Sequence, residues 1–214
     1  MKIFLDTADV EEIRRAYDTG MLDGVTTNPS KIAATGKRFT QVIEEICSFF
    51  PGPVSAEAVA HKAPEIVVKG EAISSIAPNV NVKVPMTIEG LKAAKALEER
   101  RVRVNVTMIF SPDQACLAMK TGAMLVSIVL SRLDKIGGES ESLVKDTLLI
   151  KRNYGFASEV LAASLKTRNH VLACMRSGAD IITLPEALFF EMYQHPLTAQ
   201  GLEEFDKAWE KVKQ

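Results

Sequence analysis

The sequence contains few of the residues that build metal sites or disulfide frameworks. Among its 214 residues there are three cysteines and three histidines. Cys47, Cys116 and Cys174 are far apart and form no CxxC pair. We therefore expect buried free thiols, as suits a reducing cytoplasm, and a metal or nucleophilic role for them is the weaker alternative.

Long apolar runs and an excess of either charge are also missing. No run approaches the roughly 20 apolar residues that a membrane span needs. With 26 basic and 27 acidic residues, the formal net charge is -1, which gives no reason to expect nucleic acid or a membrane surface as a partner. The first segment becomes acidic at Asp6, unlike a signal peptide. We expect a soluble, cytoplasmic protein.

What the sequence does contain is a regular alternation of short apolar segments and longer amphipathic ones. The predicted strands are Lys2–Asp6, Gly24–Thr27, Val54–Val59, Val80–Val84, Val102–Thr107, Met124–Leu130, Val160–Ser164 and Ile181–Leu184. The predicted helices between them are Val10–Asp18, Phe39–Phe50, Ala63–Ile76, Ile88–Glu99, Ser111–Lys120, Ser142–Tyr154, Asn169–Ser177 and Pro185–Tyr193. A last amphipathic stretch, Thr198–Lys213, has no strand after it.

Strands that alternate with helices require a parallel sheet, and eight such units close most economically into a barrel. No linker interrupts the series, so we expect one α/β domain over residues 1–214: a (β/α)8 TIM barrel with an additional C-terminal helix. An open doubly wound sheet is the alternative. The last helix, 198–213, either caps the barrel or packs on a neighbouring subunit.

Most predicted strands end in polar residues, although strands of a parallel barrel are covered on both faces. In the fourth strand Val80, Val82 and Val84 alternate with Asn81 and Lys83, so one face packs on helices and the other points into the barrel mouth. Barrel active sites lie at these strand ends. The polar residues there are Asp6, Thr26, Asn28, Glu57, Lys83, Asn105, Thr107, Ser127 and Ser164.

Structural roles remain open for most of these residues. Any Thr, Ser or Asn at a strand end can cap a turn or a helix, and Asp6 can cap the first helix. Glu57 can be a salt-bridge partner of Lys83 and nothing more. Lys83 itself is harder to explain in this way, because lysine is almost never buried without a partner.

A lysine in a pocket of low dielectric constant has a pKa below the usual ~10, so part of it is the free amine that attacks a ketone carbonyl. The iminium that forms is an electron sink, and Asp6 and Glu57 can carry the protons when an adjacent C–C bond breaks. This set indicates an aldol reaction that needs no metal and no cofactor. The histidines fall outside the strand ends, where we expect surface or capping roles: His61, His170 and His195.

Two cationic residues are candidates for binding a phosphate group. Arg132 follows the sixth predicted strand, and Lys166 follows the seventh, close to Ser164. Late loops of barrels often bind phosphate, although either residue alone can be a solvated surface charge. The pair Gly137-Gly138 is no dinucleotide loop, because it lacks GxGxxG and its strand–helix context. The expected substrates are therefore small phosphate esters.

Several segments resemble the transaldolase family, in particular its short microbial members, which include the fructose-6-phosphate aldolases. The resemblance runs in order along the whole chain, and VTTNP together with VKVPMT is its most specific part. The segments are FLDTAD (Phe4–Asp9), DGVTTNPS (Asp23–Ser30), PVSAE (Pro53–Glu57), VKVPMTIEGLKA (Val82–Ala93), NVTMIFSPDQA (Asn105–Ala115), LAAS (Leu161–Ser164), GADIITLP (Gly178–Pro185) and HPLT (His195–Thr198).

The resemblance implies a barrel enzyme that moves a dihydroxyacetone unit from a ketose phosphate to an aldose phosphate in the non-oxidative pentose phosphate pathway. The family pattern implies a Schiff base on Lys83, acid–base catalysis by Asp6, and a proton-carrying water held by Glu57 and Thr107. Orientation of Lys83 and the donor hydroxyls would fall to Thr26, Asn28 and Asn105. Substrate binding would involve Ser127, with the phosphate held by Arg132, Ser164 and Lys166. Short members of the family form decamers, so a homo-oligomer is expected.

One segment departs from the family pattern. After the sixth strand the family usually has S-P-(F/Y)-x-x-R, whereas this chain has Ile128 and Val129 in place of the proline and the aromatic residue. Val129 cannot replace the tyrosine that assists proton transfer in the aldolases, and Glu57 stands where they carry glutamine, so both features favour transaldolase. The alternatives are an aldolase that releases free dihydroxyacetone and a catalytically silent barrel with a binding role.

Overall fold

The computed structural model describes residues 1–212, so Lys213, the last residue of the predicted C-terminal helix, lies outside the described residues. Eight parallel strands form a closed barrel in the order β1-β2-β3-β4-β5-β6-β7-β8, and β8 pairs with β1. Helices connect successive strands, and one more helix follows the barrel. The predicted (β/α)8 barrel is confirmed, and the open sheet is wrong.

The strand bounds agree with the sequence patterns to within two residues. The strands are β1 (Lys2–Asp6), β2 (Gly24–Thr26), β3 (Val54–Glu57), β4 (Val80–Pro85), β5 (Val104–Ile109), β6 (Leu125–Val129), β7 (Glu159–Ala163) and β8 (Ile181–Leu184). The helices are α1 (Val10–Asp18), α2 (Pro29–Ala34), α3 (Phe39–Phe49), α4 (Ala63–Ser74), α5 (Ile88–Glu99), α6 (Pro112–Met119), α7 (Leu130–Asp134), α8 (Ser140–Tyr154), α9 (Arg168–Ser177), α10 (Glu186–Glu191) and α11 (Pro196–Trp209).

The largest differences from the prediction are two short helices, two strands and the last helix. Strand β3 ends at Glu57 rather than Val59, and α11 spans Pro196–Trp209, whereas Thr198–Lys213 was predicted. Neither α2 nor α7 was predicted, because six and five residues are too few to show a helical period. Strand β5 begins at Val104 rather than Val102, since Arg101 has a left-handed backbone with φ 63° and turns the chain before the strand starts. Arg103 therefore lies outside the strand and is exposed.

The inner part of the barrel is filled by an apolar cluster of four fully buried residues: Phe4, Leu125, Leu161 and Ile181. Each is followed two positions later by a residue of the barrel mouth, since side chains in a strand repeat every two residues. Phe4, for example, precedes Asp6, and Leu125 precedes Ser127. The apolar layer therefore forms a floor beneath the polar ends of β1, β6, β7 and β8, whereas β3 and β4 have the buried polar residues Ser55 and Asn81 at the corresponding positions.

Phe4 fits into this floor because residue 24 has no side chain. A Cβ atom placed on Gly24 would lie 2.5–2.6 Å from three carbon atoms of the Phe4 ring, far closer than packed carbon atoms approach. Phe4 and Gly24 are also register partners in neighbouring strands. The ring thus occupies the volume that the glycine leaves free.

Carboxylates brace the amino-terminal end of the barrel. One carboxylate oxygen of Glu98 accepts hydrogen bonds from the backbone N–H groups of Val104 at 2.9 Å and Met124 at 3.2 Å, so it joins the starts of β5 and β6. Burial raises the pKa of Glu98, and these two hydrogen bonds oppose the rise. Asp180 accepts from the N–H of Val160 at 2.7 Å at the start of β7.

The C-terminal helix α11 has an apolar face that no other part of the described chain buries. Leu202, Phe205 and Trp209 are 58%, 72% and 68% exposed, and α11 contains no buried residue. An isolated helix of 14 residues is marginally stable in water. Within residues 1–212, no helix combines the length and hydropathy that crossing a bilayer requires.

Candidate active site

A cavity of about 480 Å³ opens at the carboxyl ends of the strands. The eleven predicted site residues come from widely separated parts of the sequence, and all of them line this cavity. They are Asp6, Thr26, Asn28, Glu57, Lys83, Asn105, Thr107, Ser127, Arg132, Ser164 and Lys166. The fold thus brings the whole predicted set to one mouth, while the role of each residue stays a prediction.

Lys83 lies at the centre of the cavity on β4. It is 8% exposed, and its Nζ donates a hydrogen bond to the backbone carbonyl of Thr27 at 2.9 Å. Burial lowers the pKa of Lys83, while the negative charges of Glu57 and Asp6 act in the opposite direction. The balance favours a larger fraction of free amine at neutral pH than an exposed lysine has.

Glu57 is the nearest carboxylate to the Lys83 amine. It ends β3 as the register partner of Lys83, and its Oε2 lies 3.7 Å from Nζ. That separation is longer than a charge-assisted hydrogen bond. The gap leaves Glu57 close enough to exchange protons with groups bound at the amine, and its side chain keeps 22% of its surface exposed.

Asp6 is held on the other side of the mouth by hydroxyl groups. Thr26 Oγ1 lies 3.3 Å from Asp6 Oδ1, and Thr183 Oγ1 lies 2.8 Å from Thr26 Oγ1. These three residues come from β1, β2 and β8, which are neighbours in the closed barrel. The chain of hydroxyls orients the carboxylate toward the cavity without neutralising it.

The amide of Asn105 is already engaged within the barrel. Its Nδ2 donates to Ser55 Oγ at 3.1 Å, and its Oδ1 accepts from Ser127 Oγ at 2.6 Å. All three side chains are buried. Asn28 likewise caps α2, since its Oδ1 accepts from the N–H of Lys31 at 3.0 Å. Both asparagines line the cavity, so each has a structural role in addition to any contact with substrate.

Strand β5 is irregular where it reaches the cavity. Its register with β6 shifts between Val106 and Ile109, and Met108 within this bulge has φ 64°. A non-glycine residue in this region stores strain, and such residues cluster at functional sites. The bulge places the Met108 side chain in the cavity wall, where it is 38% exposed and Sδ lies 3.9 Å from Arg132 Nη1.

Cationic groups collect at the β6 and β7 side of the mouth. Arg132 lies on α7, Lys135 is the residue that follows the end of this helix, and Lys166 follows β7. Beneath them the hydroxyls of Ser131 and Ser164 are 2.7 Å apart. Within residues 1–212, none of these three cations forms a salt bridge, so their charges are available to an anion.

Further lining residues escaped the sequence analysis: Lys31, Met108, Ser131, Lys135 and Thr183. Two of these residues could have been predicted from the sequence. Thr183 is the one polar residue of an otherwise apolar strand, and Lys135 is three residues after Arg132, which places both on one helix face. Met108 could not have been predicted, because a bulge changes which side chains of a strand point inward.

A buried amine beside carboxylates can act as a nucleophile toward a carbonyl carbon. In the described part of the chain, no group of three or more His, Cys, Asp and Glu side chains is arranged to hold a metal ion. The fold and this site define the class: a parallel (β/α)8 barrel with a buried lysine amine at the centre of its mouth.

Comparison with known proteins gives the family. Residues 3–214 match the family model described as transaldolase/fructose-6-phosphate aldolase. A probable transaldolase of Herpetosiphon aurantiacus is 49% identical over 212 residues, which cover 99% of this chain and 96% of the relative. A probable transaldolase of Aquifex aeolicus is 48% identical, with 99% and 98% covered, and one of Dictyoglomus turgidum is 46% identical, with 99% of both covered. The chain therefore belongs to the transaldolase/fructose-6-phosphate aldolase family, which confirms the resemblance and supports the prediction of an aldol-transferring enzyme.

Proposed function

We propose that this protein is a transaldolase, which moves a dihydroxyacetone unit from a ketose phosphate to an aldose phosphate through a Schiff base on Lys83. The donors would be sedoheptulose 7-phosphate and fructose 6-phosphate, and the acceptors glyceraldehyde 3-phosphate and erythrose 4-phosphate, as in the non-oxidative pentose phosphate pathway. The observation that carries the proposal is the buried Lys83 amine, with carboxylates on both sides and unpaired cations across the cavity.

The first stage joins the donor to Lys83. The free amine attacks the C2 carbonyl of the ketose to form a carbinolamine, and loss of water from C2 leaves an iminium ion. Glu57 lies on the adjacent strand, 3.7 Å from the amine, and Thr107 lines the cavity near the end of β5. In the proposal these two residues hold the water that carries protons during this stage.

The second stage breaks and remakes a C–C bond. Asp6 removes the proton of the C4 hydroxyl, the C3–C4 bond breaks, and its electron pair moves into the iminium to give an enamine. The aldose phosphate leaves with a new carbonyl at the former C4. The enamine then attacks the carbonyl carbon of the acceptor aldose, Asp6 returns the proton, and hydrolysis frees Lys83.

The phosphate group of each sugar is assigned to the cationic side of the mouth. Arg132 and Lys166 would pair with the phosphate oxygens, and Ser164 would donate through its hydroxyl. Lys135 adds a further positive charge at the same side. Because Lys83 is on β4 and these groups follow β6 and β7, one end of the sugar would be fixed by its phosphate while C2 reaches the amine.

The related aldolase reaction differs only in the fate of the enamine, which water hydrolyses to free dihydroxyacetone. Glu57 and Val129 favour transfer, since the aldolases have glutamine and tyrosine at the corresponding positions. Val129 is buried in the cavity wall and has no group that could assist proton transfer to water. Release of dihydroxyacetone is therefore the second candidate.

The same proposal includes self-association through α11. Its apolar face is exposed in the single chain, so it would be stabilised by packing against another protein surface. A second copy of this chain is the partner we propose, because most soluble oligomers are formed by identical chains. A decamer is the expected assembly. Light scattering of the full chain gives the mass of the assembly, and replacing Phe205 and Trp209 with glutamate should lower that mass.

We also propose a cytoplasmic location, which fits the free thiols of all three cysteines.

Borohydride trapping tests the proposed chemistry. The protein is incubated with fructose 6-phosphate and borohydride, and the reduced adduct is mapped by peptide mass spectrometry, with Lys83→Met as the matched control. In a second reaction erythrose 4-phosphate is added without borohydride. We expect an adduct on Lys83 and the appearance of sedoheptulose 7-phosphate.

The other outcomes discriminate among the candidates. Free dihydroxyacetone without transfer would establish the aldolase reaction instead. If Lys83 takes up no label and neither product forms, the chain is a silent barrel with a binding role.

A further inference from the structure

The two loops that carry the phosphate-binding candidates are joined near the barrel wall. One is the segment after β6, which continues into α7 and carries Arg132, and the other follows β7 and carries Lys166. The N–H of Ser131 donates to the backbone carbonyl of Ser164 at 3.3 Å, and their hydroxyls are 2.7 Å apart. This contact joins the two segments at the residue before Arg132 and two residues before Lys166.

A second junction between the same segments is formed by His170. The Nδ1 atom of His170 accepts a hydrogen bond from the backbone N–H of Lys166 at 3.2 Å. Its Nε2 atom lies 3.2 Å from Oδ2 of Asp134. Asp134 ends α7 two residues after Arg132, and its other oxygen accepts from the N–H of Ser140 at 3.3 Å.

The two contacts of the imidazole support each other. Because Nδ1 accepts a hydrogen bond, Nε2 is the donor nitrogen of the ring, and it is this atom that contacts the Asp134 carboxylate at 3.2 Å, although the contact is not aligned as a hydrogen bond. The side chains of His170 and Asp134 are 23% and 35% exposed, which partly shields the pair from water. One ring therefore connects the backbone at Lys166 to the helix that carries Arg132.

His170 itself is outside the set of residues that line the cavity. Ser164, which forms the first junction, has a left-handed backbone with φ 60°, a conformation that persists in a non-glycine residue only where the surroundings hold it. The loop is thus held at the strained residue itself and again two residues later at Lys166, as expected of a segment whose geometry matters.

We propose that His170 is a positioning residue for the substrate phosphate: together with Asp134 it holds the loops of Arg132 and Lys166 at the separation at which both cations reach one phosphate group. This inference rests on the proposed function of the same cavity. Because His170 does not line the cavity and its contacts are with Lys166 and Asp134, its loss should weaken phosphate binding and leave the covalent chemistry intact.

Steady-state kinetics with two donors separate these effects. In His170→Ala we expect the KM for fructose 6-phosphate to rise roughly tenfold while kcat stays within about twofold, the pattern of a lost binding interaction. With unphosphorylated fructose, kcat/KM should equal that of the unmodified protein. His170→Asn keeps an acceptor for the N–H of Lys166 and should recover part of the affinity. Because Asp134 also accepts from the N–H of Ser140, the double variant Asp134→Ala and His170→Ala should have the same KM for fructose 6-phosphate as Asp134→Ala alone.

Calorimetric titration with inorganic phosphate gives a readout that does not depend on transfer. We expect phosphate to bind His170→Ala roughly tenfold more weakly than the unmodified protein, and His61→Ala, which replaces an exposed histidine outside the cavity, to bind as the unmodified protein does. Equal phosphate affinity in His170→Ala and the unmodified protein would overturn the inference, as would an equal loss with both donors. If the unmodified protein forms no adduct and transfers nothing, the proposed function fails, whereas the phosphate titration still tests the junction.

Discussion

Both ends of the barrel contain polar groups that are partly or fully shielded from solvent: Lys83 is buried, and Glu57, Glu98 and Asp180 are half-buried. The groups at the two ends differ in their hydrogen-bond partners. At the amino end, Glu98 and Asp180 accept hydrogen bonds from backbone N–H groups at the starts of the strands. At the carboxyl end, the Lys83 amine has one backbone carbonyl as its partner, and the Glu57 carboxylate lies 3.7 Å away. The amino end uses its charges to hold the fold, and the mouth keeps them available for a ligand.

This difference has an energetic meaning. The Lys83 ammonium has three donors and one hydrogen-bond partner, the carbonyl of Thr27. A buried donor without a partner costs about 1–3 kcal/mol, so a protein retains such groups chiefly where a ligand will satisfy them. Substitutions at the mouth should therefore reduce activity at little cost in stability, and those at the amino end should do the reverse.

The largest effect is expected for Lys83→Met at the centre of the mouth. Loss of the nucleophile should lower the transfer rate on the order of 10⁴-fold or more. The folded protein should be as stable or more stable, because a desolvated ammonium is replaced by a side chain that packs well. Steady-state rates and thermal unfolding measure the two quantities. A clearly destabilised variant would contradict the assignment of this charge to function.

Asp6→Asn should produce the next largest effect. The amide keeps the contact with the Thr26 hydroxyl but cannot remove a proton, so kcat should fall by about 10²–10⁴-fold. Asp9→Asn is a matched control, since Asp9 caps α1 by accepting from the N–H groups of Glu11 and Glu12, and asparagine caps helices equally well. Similar losses in both variants would show that Asp6 is only structural.

At the amino end, Glu98→Ala should destabilise the protein without changing the activity of the folded molecules. Two backbone N–H groups lose their acceptor, for a cost of about 1–3 kcal/mol in the free energy of unfolding. Glu98→Gln retains an acceptor oxygen and should be close to the unmodified protein. Denaturant unfolding provides the measurement. A fall in kcat of the folded Glu98→Ala protein would contradict the view that the amino end contributes to stability alone.

The pH dependence of kcat/KM tests the mouth without a substitution. Burial lowers the pKa of Lys83, so the reactive free amine accumulates as the pH rises, with about a tenfold gain per pH unit below that pKa. The inflection on this rising limb should lie below ~10.4, the usual value for lysine. An inflection at the usual value would mean that solvent reaches the amine.

The smallest effect is expected for the exposed ion pair between Lys2 and Glu159 at the amino end. Its atoms are 2.8 Å apart, but the side chains retain 49% and 28% of their exposure. Exposed pairs contribute about 0–1 kcal/mol, so Lys2→Met should change stability by less than Glu98→Ala does and leave kcat unchanged. A larger loss of stability in Lys2→Met would mean that exposed ion pairs also stabilise the amino end of the barrel.

The sequence was sufficient to predict the barrel and the cavity residues that lie on its strands, because both follow from period-2 patterns in parallel strands. Lys83 alternates with Val82 and Val84, and parallel strands bring their carboxyl ends to one mouth. Asp6 and Glu57 were placed by the same reasoning.

The remaining features depend on three-dimensional packing. Met108 lines the cavity because of a bulge in β5, and no pattern in the sequence predicts that bulge. Asn105 is engaged by Ser55 and Ser127, which are far from it in the chain. Likewise, His170 was expected to have a surface or capping role, whereas its contact with Asp134 joins helices that are distant in sequence.

The floor beneath the site has a consequence for how such chains diverge. Since the aromatic ring of residue 4 takes up the room that any side chain at residue 24 would need, neither position can change freely by itself. An alanine at 24 becomes acceptable only when a smaller residue has replaced Phe4, and relatives are expected to exchange the two positions together or to keep both.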